Sequence, residues 1–151
     1  MAAEEQLIEL QNTWYQTIPV SEFMQVQPLS FKELSFQQQI LTVTAPIKPN
    51  INLHHTMFAG SIYTLATLTG WGMVWLQQKL QGFSGDIVLA DAQIRYRAPI
   101  TEAPIASVIW PDVSLASLAD GGKVKVKLEV QLHCKDTLCA SFTGLYFSIA
   151  K

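Results

Sequence analysis

The sequence predicts an antiparallel α+β domain in which a curved sheet wraps one long apolar helix. Three observations carry that expectation. No charged residue lies between His55 and Lys79, a stretch of roughly six helical turns. Beyond it the chain alternates apolar and polar residues, most regularly in KVKVKLEVQLHC, residues 123–134. Helical and extended segments also come in separate blocks, without the strand–helix–strand alternation of a parallel sheet.

The elements follow in order. Residues 4–17 set Leu7, Leu10 and Trp14 at spacings of three and four, which predicts a helix with one apolar face. Pro19 interrupts it, so residues 1–24 read as a helical extension. Residues 29–36 and 39–47 are extended, and the second segment is rich in β-branched side chains. Pro46 and Pro49 close it, and the loop PNINLHH follows. The long helix is expected from Thr56, placed as its N-cap, to Lys79, with Gly82 and Gly85 turning the chain out of it. DIVLADAQIRYRAPI, IASVIWPDV, KVKVKLEVQLHC and LCASFTGLYFSIA supply four further strands. Turns at Asp120-Gly121-Gly122 and Lys135-Asp136-Thr137 join the last three as antiparallel neighbours. All 151 residues read as one domain without linker or repeat. A curved antiparallel sheet around a single apolar helix is the hot-dog architecture.

Composition bounds the partners. The chain is 49% hydrophobic and only 15% charged, which suggests that some apolar surface is covered by another subunit, and resemblance to hot-dog proteins, whose open sheet edges pair, implies at least a homodimer, with a tetramer as the larger alternative. A net charge of −2 argues against nucleic acid, which leaves a basic footprint on its binders. The uncharged stretch is long enough to span a bilayer. It carries Thr56, Ser61, Thr64, Thr67, Thr69 and three glycines, with no basic cluster beside it, so it is expected inside the protein and not in a membrane. The acidic opening, MAAEEQLIEL, predicts no secretory signal and a cytoplasmic location. Cys134 and Cys139, separated from all but one histidine by long stretches, are expected as free thiols and not as metal ligands.

Serine-elbow, phosphate-loop, zincin and dinucleotide-binding signatures are absent. Chemistry therefore falls to the loop–helix junction NLHHTMFAGSIYTLAT, residues 52–67. A helix start offers unpaired N–H groups and the positive end of a dipole. Gly60, between Ala59 and Ser61, puts no side chain in the way of a substrate carbonyl. Asn52 can donate an amide hydrogen bond from the loop, and together these groups could stabilise a negatively charged oxygen. His54, His55 and Phe58 complete the residues expected to face the substrate.

This pattern resembles the PaaI-type acyl-CoA thioesterases of the hot-dog superfamily. Theirs is an asparagine, a histidine six residues on with two glycines after it, and a carboxylate fifteen residues from the asparagine. Here the matching positions are Asn52, Phe58-Ala59-Gly60 and Thr67, and DAQIRYRAP, residues 91–99, resembles their strand motif. The resemblance covers residues 36–149, leaving the first helix outside, and is nearest the subfamily named after the C-terminal domain of YiiD. Phe58 replaces the histidine and Thr67 the carboxylate, and a threonine hydroxyl is too weak an acid–base group near pH 7. Oxyanion donors without a base suit decarboxylation of a malonyl thioester, with Asn52 and the Gly60 N–H on the enolate and Thr67 on the malonyl group. Members of the subfamily are similar to malonyl-acyl-carrier-protein decarboxylases, which supply acetyl groups to start fatty acid synthesis. The resemblance thus implies an acyl-carrier-protein or coenzyme A thioester as substrate and no cofactor beyond the arm it carries. Hydrolysis of that thioester is the alternative, and a non-catalytic acyl-thioester sensor is a third reading.

Each residue also has a structural reading. Asn52 is ordinary turn chemistry, and Thr67 could bond back to the carbonyl of Tyr63. His54 and His55 read as exposed loop residues, either of which could replace the missing base. Asp91 reads as support for the sheet and dimer. Lys123, Lys125 and Lys127 form one solvated strand face, or with Arg95 and Arg97 receive an acidic carrier protein or coenzyme A phosphates. Trp71 and Trp75 read as core or interface packing.

Overall fold

In a computed structural model, which describes residues 2–34 and 37–151, the chain forms three α-helices and one six-stranded antiparallel sheet. The elements are α1 (Ala2–Thr17), α2 (Pro19–Met24), β1 (Gln27–Glu33), β2 (Gln39–Thr44), α3 (Ala59–Gln81), β3 (Gly85–Tyr96), β4 (Ile105–Ile109), β5 (Lys123–Cys134) and β6 (Thr137–Ala150). The strand order is β1-β2-β4-β5-β6-β3, every pair antiparallel. The chain thus leaves β2, crosses the inner face of the sheet through α3, and returns as the far edge strand β3. This is the hot-dog arrangement.

The sheet's inner face is the alternating apolar set of each strand. On β5 these are Val124, Val126, Leu128, Val130 and Leu132, all buried, while Lys123, Lys125, Lys127, Glu129 and Gln131 point out. Leu41, Val43, Ala106, Val108, Phe142 and Tyr146 continue the same layer. Against it lies α3, buried on nearly every side from Ile62 to Gln78. Burial of Leu65, Met73 and Leu76 contributes roughly 1.5–3 kcal/mol apiece. Three helix threonines tolerate this apolar setting by donating to the carbonyl one turn back: Thr64 to Gly60 (2.9 Å), Thr67 to Tyr63 (2.9 Å) and Thr69 to Leu65 (2.7 Å). The opposite side of α3 is covered by α1. Trp14 and Leu10 come so close at Gly72 that a Cβ there would lie 2.9 Å from Trp14 Cζ2.

Several sequence expectations shift. The helical extension continues past Pro19 into α2, because proline is tolerated at a helix start. The first strand begins before Pro28 and runs to Glu33; the expected extension over residues 35 and 36 lies outside the described residues. Thr56 does not cap α3, which begins three residues later behind Phe58 with no side-chain cap. Asp120-Gly121-Gly122 is not a tight hairpin but the end of a 3-10 turn, Ala116–Asp120, within the longer β4–β5 connection. At the other end of α3 the expectation holds: Gly82, at φ 77°, closes the helix in the left-handed conformation open to glycine.

The two sheet edges differ. β1 is interrupted by Pro28 and a bulge before Ser30, and α1 packs against it. β3 runs for 12 residues with a single bulge before Asp91, and among the described residues no strand pairs with its outer side. No helix among the described residues is long and apolar enough to cross a membrane. Cys134 and Cys139 are buried free thiols.

Candidate active site at the start of the long helix

The loop before α3 is built from short local bonds. A 3-10 turn, Lys48–Asn50, leads into an extended residue, Ile51, which bridges Met57. Between them Asn52 closes its own turn. Its Oδ1 accepts from the N–H of His54 (2.9 Å) and Thr56 (3.1 Å), and its Nδ2 donates to Thr56 Oγ1 (3.0 Å). This is the local side-chain-to-backbone bonding that makes asparagine a turn residue. His54 and His55 sit at the tip, exposed, with His55 at φ 63°.

Phe58 ends the loop. Its N–H donates to Asn50 O (2.7 Å), and its carbonyl takes the first helix bond, from Ile62 N (3.0 Å). The N–H groups of Ala59, Gly60 and Ser61 therefore form the first turn of α3 with no preceding helix carbonyl to accept them and no side-chain cap. The space that a Cβ on Gly60 would fill is occupied by the Phe58 ring, whose Cε2 would be 2.5 Å away. Phe58 is itself 55% exposed. Gly60 is thus demanded first by the aromatic side chain two residues before it.

Two small clefts flank this helix start. One, of about 400 Å³, lies between α2 and α3; Phe23, Ile51 and Phe58 supply apolar walls and Asn50, Gly60 and Ser61 polar ones. The other, of about 360 Å³, lies toward the end of β3 and holds Asn52, Ala59, Tyr96 and Arg97. Tyr96 donates to Ala59 O (3.0 Å), and burial, then the nearby Tyr63, pushes its phenol up. Arg97 donates Nε to Ser141 Oγ (2.9 Å). Neither cleft has an aspartate, glutamate or histidine in its lining.

The residues singled out in the sequence do not all converge within one chain. Gly60, Phe58 and Ser61 share the first cleft, Asn52 and Ala59 the second. Thr67 stands two turns up α3, about 10 Å along the axis from Gly60. Its hydroxyl is bonded to Tyr63 O and its own carbonyl accepts from Tyr146 O–H (2.8 Å). His54 and His55 line neither cleft. The basic residues separate as well: Arg95 aligns with Ser141 and Gln131, six residues or about 20 Å along β5 from Lys125. Lys123 and Lys125 thus lie near one end of the sheet and Arg95 and Arg97 near the other. Asp91 is exposed at the β3 bulge. Trp71 and Trp75 border a groove with Phe83 and Val88 beside the β3 edge, and Lys79 Nζ sits 5.0 Å from the Trp75 ring centre.

One residue escaped the sequence reading. Asn50, only 2% exposed, lines the first cleft with Gly60, its Nδ2 donating to Met24 O and Pro46 O. Spacing carries no signal for it, because Asn50 ends a 3-10 turn and no regular period relates it to Asn52.

Residues 7–150 match the family described as "Putative thioesterase (yiiD_Cterm)". The chain belongs to this family. The match starts at Leu7, so it takes in α1, which the motif resemblance leaves outside. Among solved structures, a "putative thioesterase from Shewanella oneidensis" is 63% identical, with a TM-score of 0.90 over 97% of this chain and 99% of that one. A protein of unknown function from Chlorobaculum tepidum is 25% identical, with a TM-score of 0.83 over 99% and 97% of the two chains. A "Probable Thioesterase" from Pseudomonas aeruginosa, 17% identical, shares the fold at a TM-score of 0.73 over 95% and 96%. Family membership makes acyl thioesters the relevant chemistry.

Proposed function

We propose that this member of the thioesterase family decarboxylates a malonyl thioester carried by acyl carrier protein, giving the acetyl thioester that starts fatty acid synthesis. The supporting observation is the uncapped first turn of α3, which offers N–H groups of Gly60 and Ser61 beside clefts lined by no acid or histidine. Loss of carbon dioxide puts the electron pair of the broken C–C bond into an enolate. Its oxygen needs donors, which the helix start supplies, and no base is required. Arg97, in the neighbouring cleft with no ion-pair partner among the described residues, offers a positive charge to the phosphate or carboxylate of the substrate. Lys123 and Lys125 are too far from it to share one patch. Thr67 Oγ1 donates to Tyr63 O within this chain, so it reaches the malonyl group only as an acceptor or by giving up that bond.

Incubating purified protein with malonyl carrier protein and weighing the products by mass spectrometry tests this. Acetyl carrier protein is the expected product. Free malonate with free thiol would move the protein to the second reading, thioester hydrolysis, which family membership and the 63% identical relative favour. No turnover of any acyl thioester would leave only a binding protein.

We also propose that the open edge of β3 pairs with a second copy. Paired with β6 on one side only, this 12-residue strand, with Val88 and Tyr96 exposed and the Trp71–Trp75 groove alongside, presents an outer edge that a chain working alone would need to block. Free buried thiols and the absence of a membrane-length helix among the described residues fit work in a reducing cytoplasm.

A further inference from the structure

Four large apolar side chains stand exposed around the cleft between α2 and α3. They are Val20 (48%) and Phe23 (73%) on α2, Ile51 (44%) in the loop and Phe58 (55%) at the helix start. The Phe58 ring occupies the space that a side chain on Gly60 would take. An aromatic wall is therefore in contact with the residue whose N–H is a proposed donor to the enolate oxygen.

No residue lining this cleft carries a charge. Two of its polar side chains are already engaged. Thr64 Oγ1 donates to Gly60 O, and Asn50 Nδ2 donates to Met24 O and Pro46 O. An occupant is left with one group of donors, the first-turn N–H groups and the Ser61 hydroxyl. That group serves one oxygen centre of a substrate.

A malonyl thioester brings two such centres. Its carboxylate carbon is two bonds from the thioester carbonyl carbon, so they lie about 2.6 Å apart. With the thioester oxygen on the Gly60 and Ser61 N–H groups, the carboxylate must lie in the same cleft, against the apolar walls. Arg97 lines the other cleft. An ionised carboxylate among apolar side chains loses hydration and gains no partner, which is strongly unfavourable. Carbon dioxide is neutral and carries no such penalty, and the charge left behind moves to the oxygen that has donors.

We infer that Phe58 and Phe23 form a charge-excluding wall that desolvates the malonyl carboxylate and so promotes its loss. The inference rests on the proposed decarboxylation. The bond between the carboxylate carbon and the middle carbon breaks, and its electron pair becomes the C=C bond of the enolate. The carbonyl pair moves onto the thioester oxygen and carbon dioxide leaves. A hydronium ion of the bulk solvent then returns a proton to the middle carbon, giving the acetyl thioester. Phe58 stands where the resembling thioesterases carry a histidine. A protonated imidazole there would pair with the carboxylate and hold it in place. Arg97 is left to the phosphate of the carrier arm.

Binding and turnover test this separately. Succinyl and butyryl groups have nearly the same shape and differ in charge. With each held on carrier protein by an amide in place of the thioester, wild-type protein should bind the butyryl form roughly tenfold more tightly. Phe58→Lys and Phe23→Lys should each narrow or reverse that preference. Equal affinity in the wild type, or tighter succinyl binding, overturns the inference whatever the reaction proves to be. With malonyl carrier protein, Phe58→Lys should lower KM and also lower kcat roughly tenfold, as expected when a strained ground state is relieved. Phe58→Leu keeps the wall apolar and should hold kcat within about a factor of three. A raised KM or an unchanged kcat in Phe58→Lys, or a Phe58→Leu enzyme equally slow, overturns the role. Melting curves report whether each variant is folded; should Phe58→Lys unfold, Phe23→Lys, at a more exposed position, gives the same readout. Wild-type protein that yields free malonate sinks the decarboxylation reading, while the butyryl–succinyl preference still decides whether the cleft excludes charge.

Discussion

Tyr146, on the inner face of β6, donates its phenolic O–H to the backbone carbonyl of Thr67, joining the sheet to the middle of α3 at 2.8 Å. The approach is close enough that any side chain on Gly70 would collide with the tyrosine ring. The contact fixes the depth of the helix in the curved sheet, and with it the height of the helix start where the candidate site lies.

Tyr146→Phe removes that O–H while keeping the ring. The expected cost is about 1 kcal/mol, read as a shift in denaturant midpoint at unchanged slope. The phenol is pushed well above its ordinary value of 10.0, chiefly by burial and then by Tyr63. Unfolding lets it ionise normally, so the unfolded state binds fewer protons as pH rises past 10, and stability should fall there. Alkaline melts of the Tyr146→Phe variant should fall less steeply; identical slopes would mean that Tyr146 does not titrate differently on unfolding.

Gly60→Ala places a methyl group where the Phe58 ring now lies. Because Phe58 is more than half exposed, the ring should swing outward and the fold should survive with a lowered Tm. Adding Phe58→Ala should recover most of that loss, a coupling that a double-mutant cycle measures directly. If the two changes are simply additive, the ring does not account for the glycine.

Asn52 and Thr67 should behave as structural residues of the loop and helix. Asn52→Ala frees the N–H groups of His54 and Thr56 and is expected to cost about 1 kcal/mol or more. Thr67→Val should leave turnover of malonyl carrier protein within about a factor of two, since the hydroxyl serves Tyr63 O. A large fall in kcat for Thr67→Val in stably folded protein would return Thr67 to the reaction.

The β3 edge makes a prediction about assembly. Sedimentation at micromolar concentration should find a dimer, and Val88→Lys, which places a charge at the exposed edge, should shift it toward monomer. A monomeric wild-type protein would remove the edge-pairing proposal.

Much of this architecture was legible before any coordinates. The uncharged stretch of α3 and the two-residue alternation of β5 reflect burial on nearly all sides and on one side respectively, and burial leaves its period in the sequence. Gly82 was legible for a similar reason, since a left-handed helix end favours a residue without a side chain. The position of the cap was not. Thr56 had the right chemistry, but Asn52 holds its N–H and hydroxyl within the turn, and the helix starts at Ala59.

The amino-acid order by itself determined the fold class and the long helix. Only the packed molecule decided which asparagine enters the cleft with Gly60, that Phe58 covers the glycine, and that Thr67 is turned to its own helix. Those outcomes depend on how α2, the 3-10 turn and α3 meet. Spacing along a sequence records which side of an element is buried, but the partner of a given N–H or oxygen is chosen by whichever group the other elements bring within about 3 Å.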